Sequence, residues 1–324
     1  MKRRRLDAFG GGGDDIGDAD WESYTGVATL VAAPALTAAL TAALGPTRGA
    51  ACFAALDKLP CARAHVYPHA RLDTIFSTTR GWWREYVSTR LVQPVRLLLV
   101  AEAPPWRGPD EPVSYIFKPD DDEYAGGLLG PIVQAVASHL GETPPAFVKR
   151  DGASKSGVLT WLGARGVLLV DPLPFALSYT KLAGQHSSLR ASRSYAHLCA
   201  EGWNLALHDL ETEHIKIHDH VAIAFSLRTA ARAVLSAHEG VRLPLPGGRV
   251  VAVAVETHCF ASSAGYPNAA LLEQILTRMP MPSCAGVDGG EVCTHEEGGR
   301  GSRRLTSNPA YIVEGVPGSA LDLT

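Results

Sequence analysis

The stretch RLLLVAEAPPWRGP, residues 96–109, changes character in its middle. Residues 97–101 are uniformly apolar, and the carboxylate of Glu102 follows directly, with Ala-Pro-Pro after it. A short apolar run that ends at a charge and at prolines is typical of a buried strand. The sequence therefore predicts an acid at the end of a buried strand, held in place by a stiff turn.

Three further apolar runs follow, separated from one another by helical patterns. They are GVLLVDPLPF (166–175), HVAIAFS (220–226) and GRVVAVAVETH (248–258). Runs without polar alternation, alternating with helices, indicate a parallel sheet that is covered on both faces. We expect an α/β protein, a three-layer α/β/α sandwich around a central, mostly parallel four-stranded sheet.

The composition divides the chain into three parts. Residues 1–20 are rich in basic residues, Gly and Asp and predict a disordered tail, and residues 281–324 predict a mostly irregular one. Between them, residues 21–280 predict a single α/β/α domain with an alanine-rich helical extension at its N-terminal end, where Gly45 and Pro46 close one helix. Trp82 and Trp83 predict packing at the edge of this core, with stacking on nucleic acid as the alternative.

Charge and hydropathy exclude several classes of protein. The net charge of −3 excludes a strongly basic nucleic-acid coat. The sequence contains neither an apolar run of membrane-spanning length nor a secretory signal, so we expect an intracellular protein without a membrane partner. The basic residues 2–5 are compatible with a nuclear address, a phosphate-contacting arm or a solvated tail; otherwise the protein would be cytoplasmic.

The strand ends form a compact set of candidate residues. The first run ends at Glu102, the second at Asp171, the third at Ser226 and the fourth at His258. In open parallel sheets ligands bind outside the carboxyl ends of the strands. We therefore expect these side chains to lie along one edge of the domain and to face one cleft.

Four pieces of the chain, in this order and spacing, resemble the uracil-DNA glycosylase superfamily. They are VAEAPPWRGP (100–109), YIF (115–117), VLLVDPLPF (167–175) and ETHCFASSAGYPNAALL (256–272). The closest pattern is that of the members whose first motif reads Gly-Glu-Ala-Pro-Gly. The resemblance covers residues 95–280 and implies a DNA base-excision glycosylase, which hydrolyses the N-glycosidic bond of a flipped, damaged or deaminated base.

The resemblance also implies roles for individual residues. Glu102 would position water or stabilise the sugar cation, and His258 would assist departure of the base. The flipped base would stack on Phe117, with Tyr115 as the second candidate, and its edge would be read by Asp171. The remaining implied contacts are to DNA: Ser262 and Ser263 with phosphates, and Tyr266 near the emptied base site.

The chain departs from the family pattern at three positions. Asp171 replaces an amide, and a carboxylate cannot both donate to and accept from a base edge unless it is protonated. Ala101 and Pro105 replace the two glycines that flank the Glu-Ala-Pro segment. An alternative interpretation is therefore a non-catalytic protein of the same fold that binds nucleic acid or a nucleobase.

Cofactor motifs are not evident. Cys52 and Cys61 are nine positions apart, as are Cys284 and Cys293, and neither spacing is that of an iron–sulfur cluster. His214 and His218 could hold a metal if both lay on one helix, but a solvated helix end is the favoured interpretation. We expect no cofactor and no metal, buried or incidental thiols, a monomer, and single- or double-stranded DNA with a damaged base as the partner.

Overall fold

The computed structural model of this chain describes most residues between 33 and 281. The described residues are 33–59, 69–106, 113–119, 128–145, 152–175, 177–178, 186–236, 238, 242–262, 267–279 and 281. Apart from Met281, both expected tails lie outside these residues.

Helices and strands alternate in a mixed α/β arrangement. The helices are α1 (Pro34–Leu44), α2 (Pro46–Asp57), α3 (His69–Thr89), α4 (Leu129–Leu140), α5 (Gly152–Gly163), α6 (His186–Ala191), α7 (Arg193–Thr212), α8 (Arg228–Ser236), α9 (Val255–His258) and α10 (Ala269–Arg278). The strands are β1 (Val95–Val100), β2 (Pro105–Trp106), β3 (Val167–Val170), β4 (Leu177–Ser178), β5 (Ile217–Phe225), β6 (Arg242–Leu245) and β7 (Arg249–Ala252).

Three of the strands form a parallel sheet in the order β3-β1-β5. All residues of β1 are buried, and residues 97–100 are each 1% exposed or less. The central strand of a parallel sheet is covered on both faces, which explains why its sequence lacks polar alternation. The parallel sheet predicted from the first three apolar runs is confirmed.

The fourth apolar run does not form a fourth parallel strand among the described residues. Its first part, β7, pairs with β6 in an antiparallel hairpin. Gly247 and Gly248 make the turn with φ of 75° and 73°, a backbone conformation that glycine adopts without strain. Beyond the hairpin, Cys259 forms an isolated parallel bridge with Phe225, on the free side of β5. The described sheet thus has three strands where four were expected, with Cys259 at the fourth position.

Helix α3 covers the outer edge of the sheet at β3. Trp83 donates from its indole Nε1 to the carbonyl oxygen of Leu169 at 3.1 Å, and the Tyr86 hydroxyl donates to the carbonyl oxygen of Val167 at 2.6 Å. An uncovered edge strand would leave these carbonyls without partners. Trp83 is 6% exposed, which confirms that it packs at the edge of the core.

The predicted N-terminal helices are α1 and α2. Gly45, at φ 80°, separates them, and Pro46 begins α2, where a missing backbone N–H costs no hydrogen bond. Leu36, Leu40 and Phe53 are buried, and both helices pack against α7. The alanine-rich region therefore shares the hydrophobic core of the sheet.

Two helix ends have the chemistry that is typical of their residues. Asn268 caps α10 by accepting a hydrogen bond from the backbone N–H of Leu271 at 3.1 Å, and Gly141 ends α4 in the left-handed conformation at φ 66°. Helix α4 packs against α10, and α7 packs against α8. Across the described ranges, no helix has the length and apolar character needed to cross a membrane.

Candidate functional site

The carboxyl ends of the strands lie in one row. Neighbouring residues in this row are Val170, Val100, Phe225 and Cys259. The chain passes from β1 to β3 on one side and then from β3 to β5 on the other, so the strand order reverses beside β1. Ligands of open α/β sheets bind at such a switch point.

The expected strand-end residues follow this row. Glu102 and Asp171 lie just beyond adjacent strands, and Ser226 donates its backbone N–H to the carbonyl oxygen of Val100 at 2.8 Å. His258 immediately precedes Cys259, two strand spacings or about 10 Å from β1. The structure therefore places the predicted residues along one edge of the sheet.

The carboxylate of Glu102 is 4% exposed and held on both oxygens. Arg190 donates from Nε to Oε1 at 2.8 Å and from Nη2 to Oε2 at 2.7 Å. The Tyr195 hydroxyl donates to Oε1 at 2.7 Å. A bidentate guanidinium contact fixes the plane of a carboxylate as well as its position.

Sequence reasoning missed Arg190 and Tyr195. They lie 88 and 93 residues from Glu102, in α6 and α7. Ser192, between them, caps α7 by accepting a hydrogen bond from the backbone N–H of Tyr195 at 3.1 Å. The cap is readable from the sequence, but the contact with Glu102 depends on how α7 packs.

Asp171 is paired with a neighbouring phenol. The Tyr115 hydroxyl donates to Oδ2 of Asp171 at 3.0 Å. Burial raises the pKa of Asp171 to about 7, the bond from Tyr115 acts in the opposite direction, and the nearby charge of Glu102 raises it further. At neutral pH this side chain is therefore divided between its acid and carboxylate forms.

Asp171 and Tyr115 line a pocket between α3 and α7, which we name the Asp171 pocket. Helix α3 contributes Phe76, Arg80 and Trp83 from one face, spaced as successive turns of a helix place them. The pocket is thus lined by apolar and aromatic side chains and by a few ionisable ones, as ligand pockets usually are.

Two contacts set the width of the Asp171 pocket. Arg80 of α3 forms an ion pair with Asp209 of α7, which joins the two walls. At Gly202, α7 approaches the loop after β3 so closely that an added Cβ would lie 1.6 Å from the carbonyl oxygen of Pro172. The pocket has a volume of about 70 Å³. A dry cavity of about 150 Å³ holds benzene, so a base would enter this space only in part unless the walls move.

Phe117, the predicted stacking residue, lies in an aromatic cluster behind the Asp171 pocket. It is 5% exposed, with its ring centroid 4.2 Å from that of Tyr86 and 5.6 Å from that of Tyr115. Among the described residues, Tyr115 and Trp83 are the rings that line the pocket beside Phe76. The structure brings Asp171 and Tyr115 together there, whereas Glu102, Phe117 and His258 lie outside its lining.

His258 is buried at the end of the short helix α9, 8% exposed. Its Nδ1 lies 3.1 Å from the backbone nitrogen of Ala254, 3.0 Å from the carbonyl oxygen of Ala254 and 2.8 Å from the Thr257 hydroxyl. Burial lowers the pKa of His258, so the ring is neutral at pH 7. The backbone N–H of Ala254 would pair with an unprotonated Nδ1 and its carbonyl oxygen with a protonated one, so these contacts are compatible with both neutral tautomers.

The predicted DNA contacts fall partly outside the structure. Ser262 is half-buried beyond Cys259, whereas Ser263 and Tyr266 lie outside the described residues. In the described part of the chain, no three His, Cys, Asp or Glu side chains are grouped as a metal site requires. His214 follows α7 and His218 lies in β5, so these two histidines do not share a helix.

The cysteines within the described residues are buried thiols. Cys52, Cys199 and Cys259 are free and buried, as predicted. The chain matches no protein-family model, no curated protein and no solved structure. The functional argument therefore depends on the residues described above.

Proposed function

We propose that this chain is a DNA base-excision glycosylase, which hydrolyses the N-glycosidic bond of a flipped, damaged or deaminated base. The observation that carries the proposal is the position of Glu102 and Asp171 beyond adjacent strands, beside the switch point, with Asp171 and Tyr115 in the wall of a pocket. We include in this proposal a three-layer α/β/α sandwich whose sheet has its fourth strand at Cys259.

In this proposal the Asp171 pocket binds the base, and residues outside its lining carry out the reaction. The Asp171 pocket would hold the flipped base against aromatic side chains, with Asp171 at its edge. Glu102, oriented by Arg190 and Tyr195, would stabilise the positive charge that develops on the sugar or position the attacking water. His258 would assist departure of the base by donating a hydrogen bond to it.

DNA is the proposed partner, and no metal or other cofactor enters the proposed reaction. Residues 261–262 follow the sheet edge at Cys259, so a phosphate bound at Ser262 would lie on the same side of the domain as Glu102. The flipped base can enter the Asp171 pocket only if the ion pair between Arg80 and Asp209 separates or the walls of the pocket shift, because the pocket is smaller than a base.

A specific observation favours a second function, binding of nucleic acid or a nucleobase without hydrolysis. The Glu102 carboxylate is buried and already paired with a guanidinium, which is also how a purely structural ion pair is arranged. In that case the strand end would support the fold, and the Asp171 pocket alone would recognise the ligand.

One experiment separates the two functions. Oligonucleotides that carry uracil, hypoxanthine, xanthine or a mismatched thymine are incubated with the full chain and then treated with alkali, which breaks the strand at abasic sites. We expect breaks on at least one substrate and a loss of a hundredfold or more in Glu102→Gln.

Glu201→Gln is the matched control. Glu201 is also a buried glutamate in a bidentate contact with an arginine, Arg48, but it lies within helix α7 and not at the end of a strand. Equal losses in both variants would show that the loss reflects folding and would contradict a catalytic role for Glu102. Tight binding without breaks on any substrate would establish the second function.

A further inference from the structure

We propose that the Asp171 pocket recognises its ligand through the neutral carboxylic acid of Asp171. The protein would then bind the ligand at acidic pH and release it as the pH rises and Asp171 ionises. The ligand class is a planar ring whose edge offers one hydrogen-bond acceptor next to one donor, as a lactam does. The inference rests on the proposed function in taking a nucleobase as the ligand.

The two oxygens of Asp171 have different surroundings. Oδ2 accepts the hydrogen bond of the Tyr115 hydroxyl at 3.0 Å. No hydrogen bond to Oδ1 is found within the described ranges, and Asp171 lines the pocket. Tyr115 therefore holds Oδ2 as an acceptor, and we expect the proton of the acid form on Oδ1.

A carboxylic acid has a donor and an acceptor side by side, whereas a carboxylate only accepts. The neutral form can therefore pair with a carbonyl and its adjacent N–H in one plane. Once Asp171 ionises, its oxygen faces the ligand's carbonyl oxygen, and the pairing is lost. The apolar and aromatic side chains in the lining strengthen this discrimination, because they offer no hydrogen bonds to the unpaired groups.

The charged and titratable groups around Asp171 are consistent with a neutral acid. Glu102, at the end of β1, raises the pKa of Asp171, while the Tyr115 bond lowers it less than burial raises it. In the wall of the pocket, the charge of Arg80 is offset by Asp209. Lys155 of α5 does not line the pocket, and its Nζ donates to the backbone carbonyl oxygen of Tyr115 at 2.9 Å.

The test measures two quantities in the same protein: the pKa of the Asp171 carboxyl and the affinity for the ligand. The carbon resonance of the Asp171 carboxyl is followed through a pH titration, with Asp171→Asn as the assignment control. Binding of free uracil and of free hypoxanthine, neither of which can be cleaved, is measured at pH 5.5 and pH 8.0. With the pKa near 7, the neutral fraction falls about tenfold between these values, and the affinity should fall by roughly the same factor.

Three variants test whether Asp171 causes the pH dependence of binding. Asp171→Asn keeps a donor and an acceptor at every pH, so its binding should not depend on pH in this range. Tyr115→Phe removes the bond that lowers the pKa of Asp171, so the midpoint of binding should move to higher pH. Glu201→Gln changes a buried acid that does not line the pocket, so this variant should keep the pH dependence of the unaltered protein.

Each result decides the inference. An Asp171 carboxyl that titrates near pH 4, binding that does not change with pH, or no binding of either base would overturn it. If strand cleavage nevertheless occurs, the proposed function stands without it. If Asp171 titrates near 7 and binding follows it while no oligonucleotide is cleaved, the inference stands and the glycosylase activity does not.

Discussion

Arg190 holds both carboxylate oxygens of Glu102, at 2.8 Å and 2.7 Å, and 18% of the Arg190 side chain is exposed. Arg190→Met would leave the buried charge of Glu102 without its guanidinium. We expect a loss of about 3–5 kcal/mol in the free energy of unfolding, measured with urea. Arg48→Met is the comparison, because Arg48 pairs with Glu201 but is 53% exposed, and the expected loss there is about 1 kcal/mol or less.

The double variant Glu102→Leu with Arg190→Met distinguishes a buried ion pair from simple packing. Removal of both charges leaves no unpaired buried charge, although the Tyr195 hydroxyl loses its acceptor, so the double variant should be more stable than Arg190→Met alone. If the losses of the two single variants simply add, the carboxylate does not depend on Arg190, and its fixed orientation needs another cause.

Trp83→Phe tests the cover over the edge strand. The substitution removes the indole N–H and leaves the carbonyl of Leu169 buried without its partner. We expect a loss of about 1–3 kcal/mol in the free energy of unfolding. Trp82→Phe is the neighbouring control: Trp82 is half-buried with Lys118 over its ring, at 5.7 Å from the centroid, and should lose about 1 kcal/mol or less. Equal losses would mean that the ring's volume matters and the edge contact does not.

The elements that follow from local pattern could be predicted from the sequence. Runs such as residues 97–101 and 167–170 are short, uniformly apolar and followed directly by a carboxylate, a pattern that is typical of a buried strand. The prediction of a parallel strand over residues 248–258 was wrong, because Gly247 and Gly248 make a hairpin turn where the run begins. In addition, burial alternates along β7 and is not continuous.

The site could be predicted only to the extent that strand ends position it. The register of the sheet places Glu102 and Asp171 side by side, because each follows its strand directly. The contact of Arg190 with Glu102 comes from α6, and the wall of the Asp171 pocket at Asp209 comes from α7. Both helices lie far along the chain from Glu102, and their positions depend on tertiary packing that no local pattern encodes.

Asp171 should make the stability of the protein depend on pH. Its pKa rises from an unfolded value near 4 to about 7 in the fold, so the folded chain binds the extra proton between those values. The stabilising contribution is complete below pH 4 and is lost as pH rises through 7. Between pH 5 and pH 8 we expect the unaltered protein to lose on the order of 2 kcal/mol that Asp171→Asn does not lose.

Urea unfolding of both proteins at pH 5, 6, 7 and 8 provides the measurement. The relevant quantity is the difference between the two free energies of unfolding, since most other titrating groups contribute equally to both. The difference should change steadily towards pH 7 and level off above it. A difference that is constant from pH 5 to pH 8 would place the folded pKa of Asp171 at its ordinary value.

Gly202→Ala tests the close approach that forms the Asp171 pocket. The added methyl group would lie 1.6 Å from the carbonyl oxygen of Pro172, which no side-chain rotation can relieve because both the methyl position and the carbonyl belong to the backbone. Helix α7 must therefore move away from the loop after β3, and we expect a loss of about 3 kcal/mol or more in the free energy of unfolding.

Gly157→Ala is the matched control for this substitution. Gly157 is also a glycine within a helix, α5, but it is exposed and has no atom within 4 Å of an added Cβ. Alanine should stabilise α5 by roughly 0.5–1 kcal/mol, so the two variants should differ in the sign of their effect. If Gly202→Ala is also neutral or stabilising, α7 does not press against the strand-end loop. The pocket between α3 and α7 would then be wider than the structure shows, and a base could enter it without separating Arg80 from Asp209.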